Sequence, residues 1–597
     1  MRGEGIMKKV LSGALIGALV LTGCGKTSTS SGLKTFHTYE LQSREVENFN
    51  YLTANGSVTL QVTQQLIEGL VEYNPEGELV GAQAKDGWKV NDDSSVWTFT
   101  LRDGLKWLKQ DGSEYADVTA DDFVEGIKYN LDYDNASPNV EMITSFVKGA
   151  EEYYEASEAG TATDELFDET VGVKAVDDKT IEYTLVGPKP YFGSVLNYTA
   201  YNPLNEKFLD EVGDSFGTSP DTILYNGPYL ISEFDQNAYK EFIKNDKYWD
   251  KGNVSFDTVT CNMLESQAKA YEMYNAGELD WVQLTQDEIL TEQANGNDTL
   301  VDSGPGGMVY QIYFNHAQEG NDDWNKAADN INFRKAWFYG IDATEYNKRT
   351  NPIDPESLTA TTITYPNLVY TSDGTAYGDL DELKEYRSGI HDASKAAEYK
   401  AKAMEELKAE GVTFPLQVSL AYNVGNQTAE ETFQIEKSSF EAALGTDFIE
   451  IVGVPYIRSA SSEVYTPNLH SIVISGWGAD YADPYNFLYQ LTSFGDAYMN
   501  NKYSHFDDEE LNTRVDEANK LIDTDERYHA FASIEAYILD NAYTVPFSTS
   551  GHQIQMTKVN NYSKGKTYSG YSGKMKYWQT QDKAYTTKEY EEFAKED

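Results

Sequence analysis

Leu416-Gln417-Val418-Ser419-Leu420 alternates apolar with polar residues as a half-buried strand does, and the residues around it decide the fold. Tyr422 to Thr428 reads as a loop. Ala429 to Leu444 then turns Phe433 and Phe440 inward on a helix that Gly445 stops, and Phe448 to Val454 reads as the next strand. Strand, helix, strand in that order predicts a parallel pair joined by a right-handed crossover. Upstream, Asp392 to Glu410 predicts a helix with Ala396, Ala397, Met404 and Leu407 toward the core, ended by Gly411. Downstream, Ser471-Ile472-Val473-Ile474-Ser475 predicts a fully buried strand. Ligands of such open sheets sit beyond the carboxyl ends of the strands, so the loops after Leu420 and after Ser475 are expected to face one crevice.

The first third of the chain is mixed α and β. Val96 to Leu101 alternates as a strand with one buried face and ends at Asp103-Gly104. Thr119 stands as N-cap before Asp121 and Asp122, which predicts a helix that buries Phe123, Ile127 and Leu131. Val171 to Val176 and Thr180 to Leu185 flank Asp177-Asp178-Lys179, the chemistry of a hairpin turn. Gly304-Pro305-Gly306-Gly307 lacks the Lys-Ser or Lys-Thr of a phosphate loop and reads as a turn into a strand from Val309 to Phe314.

A chain of 597 residues is too long for one core, and length alone suggests about three to four lobes. With 40% hydrophobic residues it is no disordered polymer. A formal net charge of -50 argues against nucleic acid as a partner, because phosphate binding needs a basic surface. The same charge suits a solvated exported surface and steers cationic ligands. An exported hydrolase is the enzymatic alternative, yet the seven histidines show no pair at zinc-ligand spacing and no Gly-x-Ser-x-Gly elbow occurs. No catalytic residue, metal site or cofactor is therefore expected.

Lys8 and Lys9 precede an apolar run from Val10 to Leu21, the layout of a secretory signal and too short to span a bilayer. Leu21-Thr22-Gly23-Cys24 resembles a bacterial lipobox, which implies a diacylglycerol thioether on Cys24 and cleavage after Gly23. Residues 1–23 then form the signal peptide and 24–34 a small, polar linker on a lipid anchor. With Cys24 lipidated, Cys261 is single and no intrachain disulfide is available.

The second crevice loop reads Gly476-Trp477-Gly478-Ala479-Asp480-Tyr481-Ala482-Asp483-Pro484. Glycines on either side of Trp477 let backbone approach a ligand, Trp477 offers an apolar wall with one donor, and Asp480 adds a negative charge. Such a site suits an ammonium group beside an extended chain. A turn cap is the other reading of Asp480, and for Asp483, next to a helix beginning near Pro484, capping is the reading adopted.

This segment resembles the glycine-tryptophan-x-alanine-aspartate-tyrosine motif of the solute-binding proteins of oligopeptide ABC importers. Val118 to Phe123, Val173 to Asp178, Tyr225 to Tyr229, Tyr248-Trp249 and Asn332 to Ala336 match that family in the same order, from about residue 36 to beyond 550. The spacing around Trp107 to Tyr115 and from Asn351 to Ser388 is closer to lipoproteins of Gram-positive bacteria, including those that take up signalling peptides. The resemblance implies an α/β, two-lobed, periplasmic-binding-protein-like fold of type II with an extra third domain and a hinge between lobes. Lobe 1 would hold residues 35–75, 187–305 and 551–597, the extra domain 76–186, and lobe 2 residues 306–550. It also implies a monomer that is no enzyme, closes on an oligopeptide and hands it to permease subunits in the membrane. Carried over by position, Asp480 holds the peptide's α-ammonium, Gly476 and Trp477 offer backbone and wall, Gly56 and Ser57 pair from the other lobe, and Asn423 and Asn426 lie in the first crevice loop. Relatives of this fold also carry nickel complexes, haem or sugars, and fold alone does not separate these cargoes. One departure is Ile474, where enteric members place a basic residue for a short peptide's carboxylate; a fixed C-terminal anchor is not expected.

Overall fold

The computed structural model describes residues 32–495, 497–564 and 573–596; Cys24, the signal segment and the linker up to Ser31 lie outside the described residues. Three sheets carry the architecture. In the first, Thr35–Leu41 pairs in parallel with Thr258–Leu264, followed by Tyr239–Lys244 and Tyr229–Asp235 in antiparallel order. In the second, Lys89–Val90, Val96–Thr100, Thr180–Thr184 and Val173–Asp177 are antiparallel neighbours. The third sets Pro305–Phe314 between Ile472–Gly478 and Thr544–Gly551, again antiparallel.

One large core draws its residues from Phe36 to Met263, joined by Tyr481, Val559 and Met575. A second runs from Val309 to Phe547. A smaller cluster around Val282, Ile289 and Met556 lies under the strands Trp281–Gln283 and Ile554–Thr557. Among the described residues no helix is long and apolar enough to cross a membrane. Cys261 is free and buried, and burial pushes its thiol up to about 12, so it is inert.

Local signals translate directly into structure in the first third. Trp97, Phe99 and Leu101 are buried as the alternation demands. Thr119 and Asp122 close a capping box on the helix Ala120–Leu131, with Thr119 N–H donating to Asp122 Oδ2 at 2.8 Å. That helix buries Phe123, Ile127 and Leu131 completely. The hairpin forms from Val173–Asp177 and Thr180–Thr184.

The crossover is present. Leu416–Asn423 and Ile449–Tyr456 pair in parallel from Leu416 opposite Ile449 to Asn423 opposite Tyr456, joined by the helix Gln427–Leu444. The helix starts two residues earlier than expected because Asn426 Oδ1 accepts the Ala429 N–H at 3.1 Å, so the loop shrinks to residues 424–426. In the helix Ala393–Ala409 the buried residues are Ala396, Ala403 and Leu407, a strict helical spacing that leaves Ala397 exposed. The turn before Pro305 is confined to Gly304, at φ +83, and Pro305 to Gly307 already belong to the strand.

The strand after Ser471 departs most from expectation. Ser471 N–H donates to the Ser419 carbonyl at 2.8 Å, but the strand then turns to pair with Pro305–Phe314. Ile472 and Val473 are buried, whereas Ile474 to Gly478 are only partly so. Its position at the edge of a three-stranded sheet gives the reason, because among the described residues one flank has no strand paired to it.

A second feature ties the chain end to its beginning. Lys574 Nζ lies 2.7 Å from Glu68 and 2.8 Å from Glu72, while Lys576 Nζ lies 2.6 Å from Glu72 and 3.2 Å from Asp250. Glu68, Glu72 and Lys576 are almost wholly buried.

Candidate functional site

Gly476, Trp477 and Gly478 are not a loop; they complete the edge strand Ile472–Gly478, opposite Tyr310, Val309 and Met308. A Cβ on Gly476 would lie 2.8 Å from the Tyr310 ring, so the neighbouring strand's aromatic side chain explains this glycine. The edge past Ser471 carries no partner strand among the described residues, which leaves backbone N–H and C=O groups available for another extended chain.

Asp480 follows directly. Asn486 organises the segment: its Oδ1 accepts the indole N–H of Trp477 at 2.9 Å and the backbone N–H of Asp480 at 3.0 Å, and its Nδ2 donates to Asp480 Oδ2 at 3.2 Å. Asp480 Oδ1 receives no hydrogen bond from a described residue, and no cation among them stands within ion-pair distance. Burial pushes its carboxyl up to about 6, opposed only by the bond from Asn486. A carboxylate so placed gains most from a cation brought by a ligand.

The next three residues bind elsewhere. Tyr481 leaves the second core for the first: its ring stacks on Tyr191 at 5.2 Å and 13° and meets Phe146 edge-on at 5.5 Å. Ala482 N–H donates to Ser194 Oγ at 3.1 Å. Asp483 accepts the Tyr485 N–H at 2.9 Å, the expected cap, and also forms a buried two-pronged ion pair with Arg527 at 2.7 and 2.8 Å. The Arg527 guanidinium lies 4.7 Å from the Tyr191 ring centre and donates to the carbonyls of Ala518 and Asn519.

The remaining expected residues are not joined to this segment. Gly56 and Ser57 begin the exposed N-terminus of the helix Ser57–Leu66, where a Cβ on Gly56 would meet open space. Asn423 closes its strand with Nδ2 3.3 Å from the Ile457 carbonyl, and Asn426 is an N-cap. Among the described residues no hydrogen bond links any of the four to residues 476–480. The sequence does not single out Asn486 and Arg527, because both act through contacts that only the folded chain makes.

The mixed sheet of Thr35–Leu41, the separate parallel pair Leu416–Asn423 and Ile449–Tyr456, and the two large cores belong to a two-lobed binding-protein fold of type II with an extra domain, the fold shared with the solved structures below. Residues 78–499 match the family model of bacterial extracellular solute-binding proteins, family 5, and the chain belongs to that family of binding proteins rather than enzymes. The oligopeptide-binding protein SarA of Streptococcus gordonii is 30% identical over 97% of this chain and 94% of its own. Among solved structures, peptide-bound OppA of Listeria monocytogenes superposes with a TM-score of 0.67 at 23% identity, covering 92% of this chain and 100% of that one. The pheromone receptor PrgZ gives 0.69 at 23% identity, with 92% and 100% covered.

Proposed function

We propose that this chain is the extracytoplasmic solute-binding component of an ABC importer, capturing oligopeptides between two lobes and passing them to membrane permease subunits. In this reading residues 35–75, 187–305 and 551–597 form lobe 1, 76–186 the extra domain and 306–550 lobe 2; the separate core from Val309 to Phe547 supports setting lobe 2 apart. The protein acts as a monomer on a lipid anchor at Cys24. The carrying observation is a strand edge that, among the described residues, has no partner strand and ends beside a half-buried carboxylate without a cation. A peptide adding to Ile472–Gly478 through its main chain sets its α-ammonium against Asp480 Oδ1, with Trp477 as a wall, while Gly56, Ser57 and Asn423 approach it when the lobes close. The names of the relatives, oligopeptide-binding proteins and a peptide-bound structure, support the same cargo.

The test is calorimetry of a free-amine peptide and its N-acetylated form on the wild type and Asp480→Asn. A charge-assisted hydrogen bond contributes about 1.5 to 3 kcal/mol, so the substitution should weaken the free-amine peptide tenfold or more at pH 7 and leave the acetylated one unchanged. The pH dependence follows from the raised carboxyl. Below about 6 Asp480 is neutral and cannot meet the ammonium, so wild-type affinity should climb as pH rises through about 6. It should fall again as the α-amino group deprotonates near about 8. Asp480→Asn should lose the acid limb; a zero coupling energy or an unchanged acid limb would assign Asp480 to the turn alone. For the anchor, Cys24→Ala should move the protein from the membrane to the soluble fraction of a bacterial host, and normal processing with retention would overturn lipidation.

A further inference from the structure

We propose that the first large core holds a second ligand site, separate from the strand edge, in which Lys564 and two tryptophans take a small amphipathic carboxylate. A cavity of about 310 Å³ is lined by the first sheet and by the helix Ser57–Leu66. That volume lies at the lower end of the range for small-molecule sites. Phe36, Val259 and Cys261 line it from the sheet, and Val58 and Val62 line it from the helix. Arg44 and Gln553 are its exposed residues, and none of residues 472–480 takes part.

This lining surrounds one charge that the fold leaves unanswered. Lys564 Nζ lies 4.5 Å from the ring centre of Trp578 and 5.9 Å from that of Trp281. Trp281 is itself fixed, its indole N–H donating to Thr38 Oγ1 at 2.5 Å. No carboxylate among the described residues pairs with the Lys564 ammonium, and burial pulls it down to about 8. The other cations of the cavity are matched, Arg44 lying 3.7 Å from Glu40 and Lys240 2.5 Å from Glu45. Gln65 is also engaged, with Oε1 accepting the Met575 N–H at 2.9 Å and Nε2 donating to the Gln61 carbonyl at 3.2 Å. Two aromatic faces offset the cost of burying Lys564 only in part, and an anion carried by a ligand completes the compensation. A single ammonium does not balance a phosphate dianion, and valine, phenylalanine and tryptophan surfaces do not solvate a sugar acid. The partner that fits is therefore one carboxylate on an alkyl or aryl body.

Octanoate and octanamide, alike in shape and unlike in charge, are the probes, measured by calorimetry and tryptophan fluorescence on the purified protein at pH 7. The wild type should bind octanoate about tenfold more tightly than octanamide, with a change in tryptophan emission. Lys564→Met should remove that difference without weakening octanamide, and Lys564→Arg should restore it. Val62→Trp, which fills the cavity from the helix, should abolish binding of both probes. Asp480→Asn should bind octanoate as the wild type does. If the wild type binds neither probe, or binds both equally, the site is wrong. It is equally wrong if Lys564→Met weakens acid and amide alike. A changed octanoate affinity in Asp480→Asn would place the probe at the strand edge and overturn a separate site.

Discussion

Arg527→Met should lower the free energy of unfolding by about 3 to 5 kcal/mol, because it strands a buried carboxylate that has no other cation partner among the described residues. Both partners are almost wholly inaccessible, at 0% and 1% side-chain exposure, and the two contacts of 2.7 and 2.8 Å engage both oxygens of Asp483. Burial alone would lower the guanidinium's proton affinity; Asp483 more than reverses that, and Arg527 stays charged. Replacing both partners, Arg527→Met with Asp483→Leu, should recover part of the loss, since a buried pair often adds little over an apolar one. Equilibrium unfolding in urea of the four proteins measures the coupling. A single substitution as mild as the double would show that the pair is solvated in solution.

The second large effect is expected at the chain end. Lys576→Met leaves Glu72 with Lys574 as its single close cation and Asp250 with none from this group, and should cost about 1.5 to 3 kcal/mol, the loss of charged hydrogen bonds rather than of all compensation. Glu72 shows what the lysines do: burial would raise its carboxyl, but Lys574 and Lys576 win and hold it at about 2. A carboxyl lowered by folding stabilises the native state above its ordinary value near 4.5, and that contribution fades as pH falls from there through about 2. Glu72→Gln should therefore flatten the acid limb of the stability profile between those values, read by urea unfolding at a series of pH values. An unaltered limb would place the acid sensitivity in other carboxyls.

What was legible in the chain divides by distance along it. The capping box of Thr119 and Asp122, the helix stripe of Phe433 and Phe440, and the order strand, helix, strand are all written within one or two turns or one crossover, so local chemistry decides them. Asn426 belongs with these: it is an Asn just before a helix, and its capping role is local even though it was expected in a binding loop. Edge position is different. Whether Ile472–Gly478 is covered on both flanks depends on Pro305–Phe314, more than 150 residues earlier, and an apolar run cannot announce its neighbours. Arg527 with Asp483, 44 residues apart, and Lys574 with Glu68, 506 apart, are likewise products of the finished fold. Asp480 was readable as a charge beside an apolar wall, but its missing counter-ion and its tie to Asn486 were not.

The adjacency of Asp480 and Tyr481 has a kinetic meaning. On the proposed peptide reading Asp480 faces the ligand's ammonium; the next residue carries the ring that rests on Tyr191 in the opposite core, while Ala482 and Asp483 fix the same stretch to Ser194 and Arg527. A peptide seated on the strand edge cannot leave by moving Asp480 alone, since that displaces the tyrosine stack within a single peptide unit. Escape and unstacking become one event, whereas arrival needs only an open crevice. On that reading the strength of the Tyr191–Tyr481 contact would set the residence time of the cargo, and its rate of capture would be left to diffusion and charge.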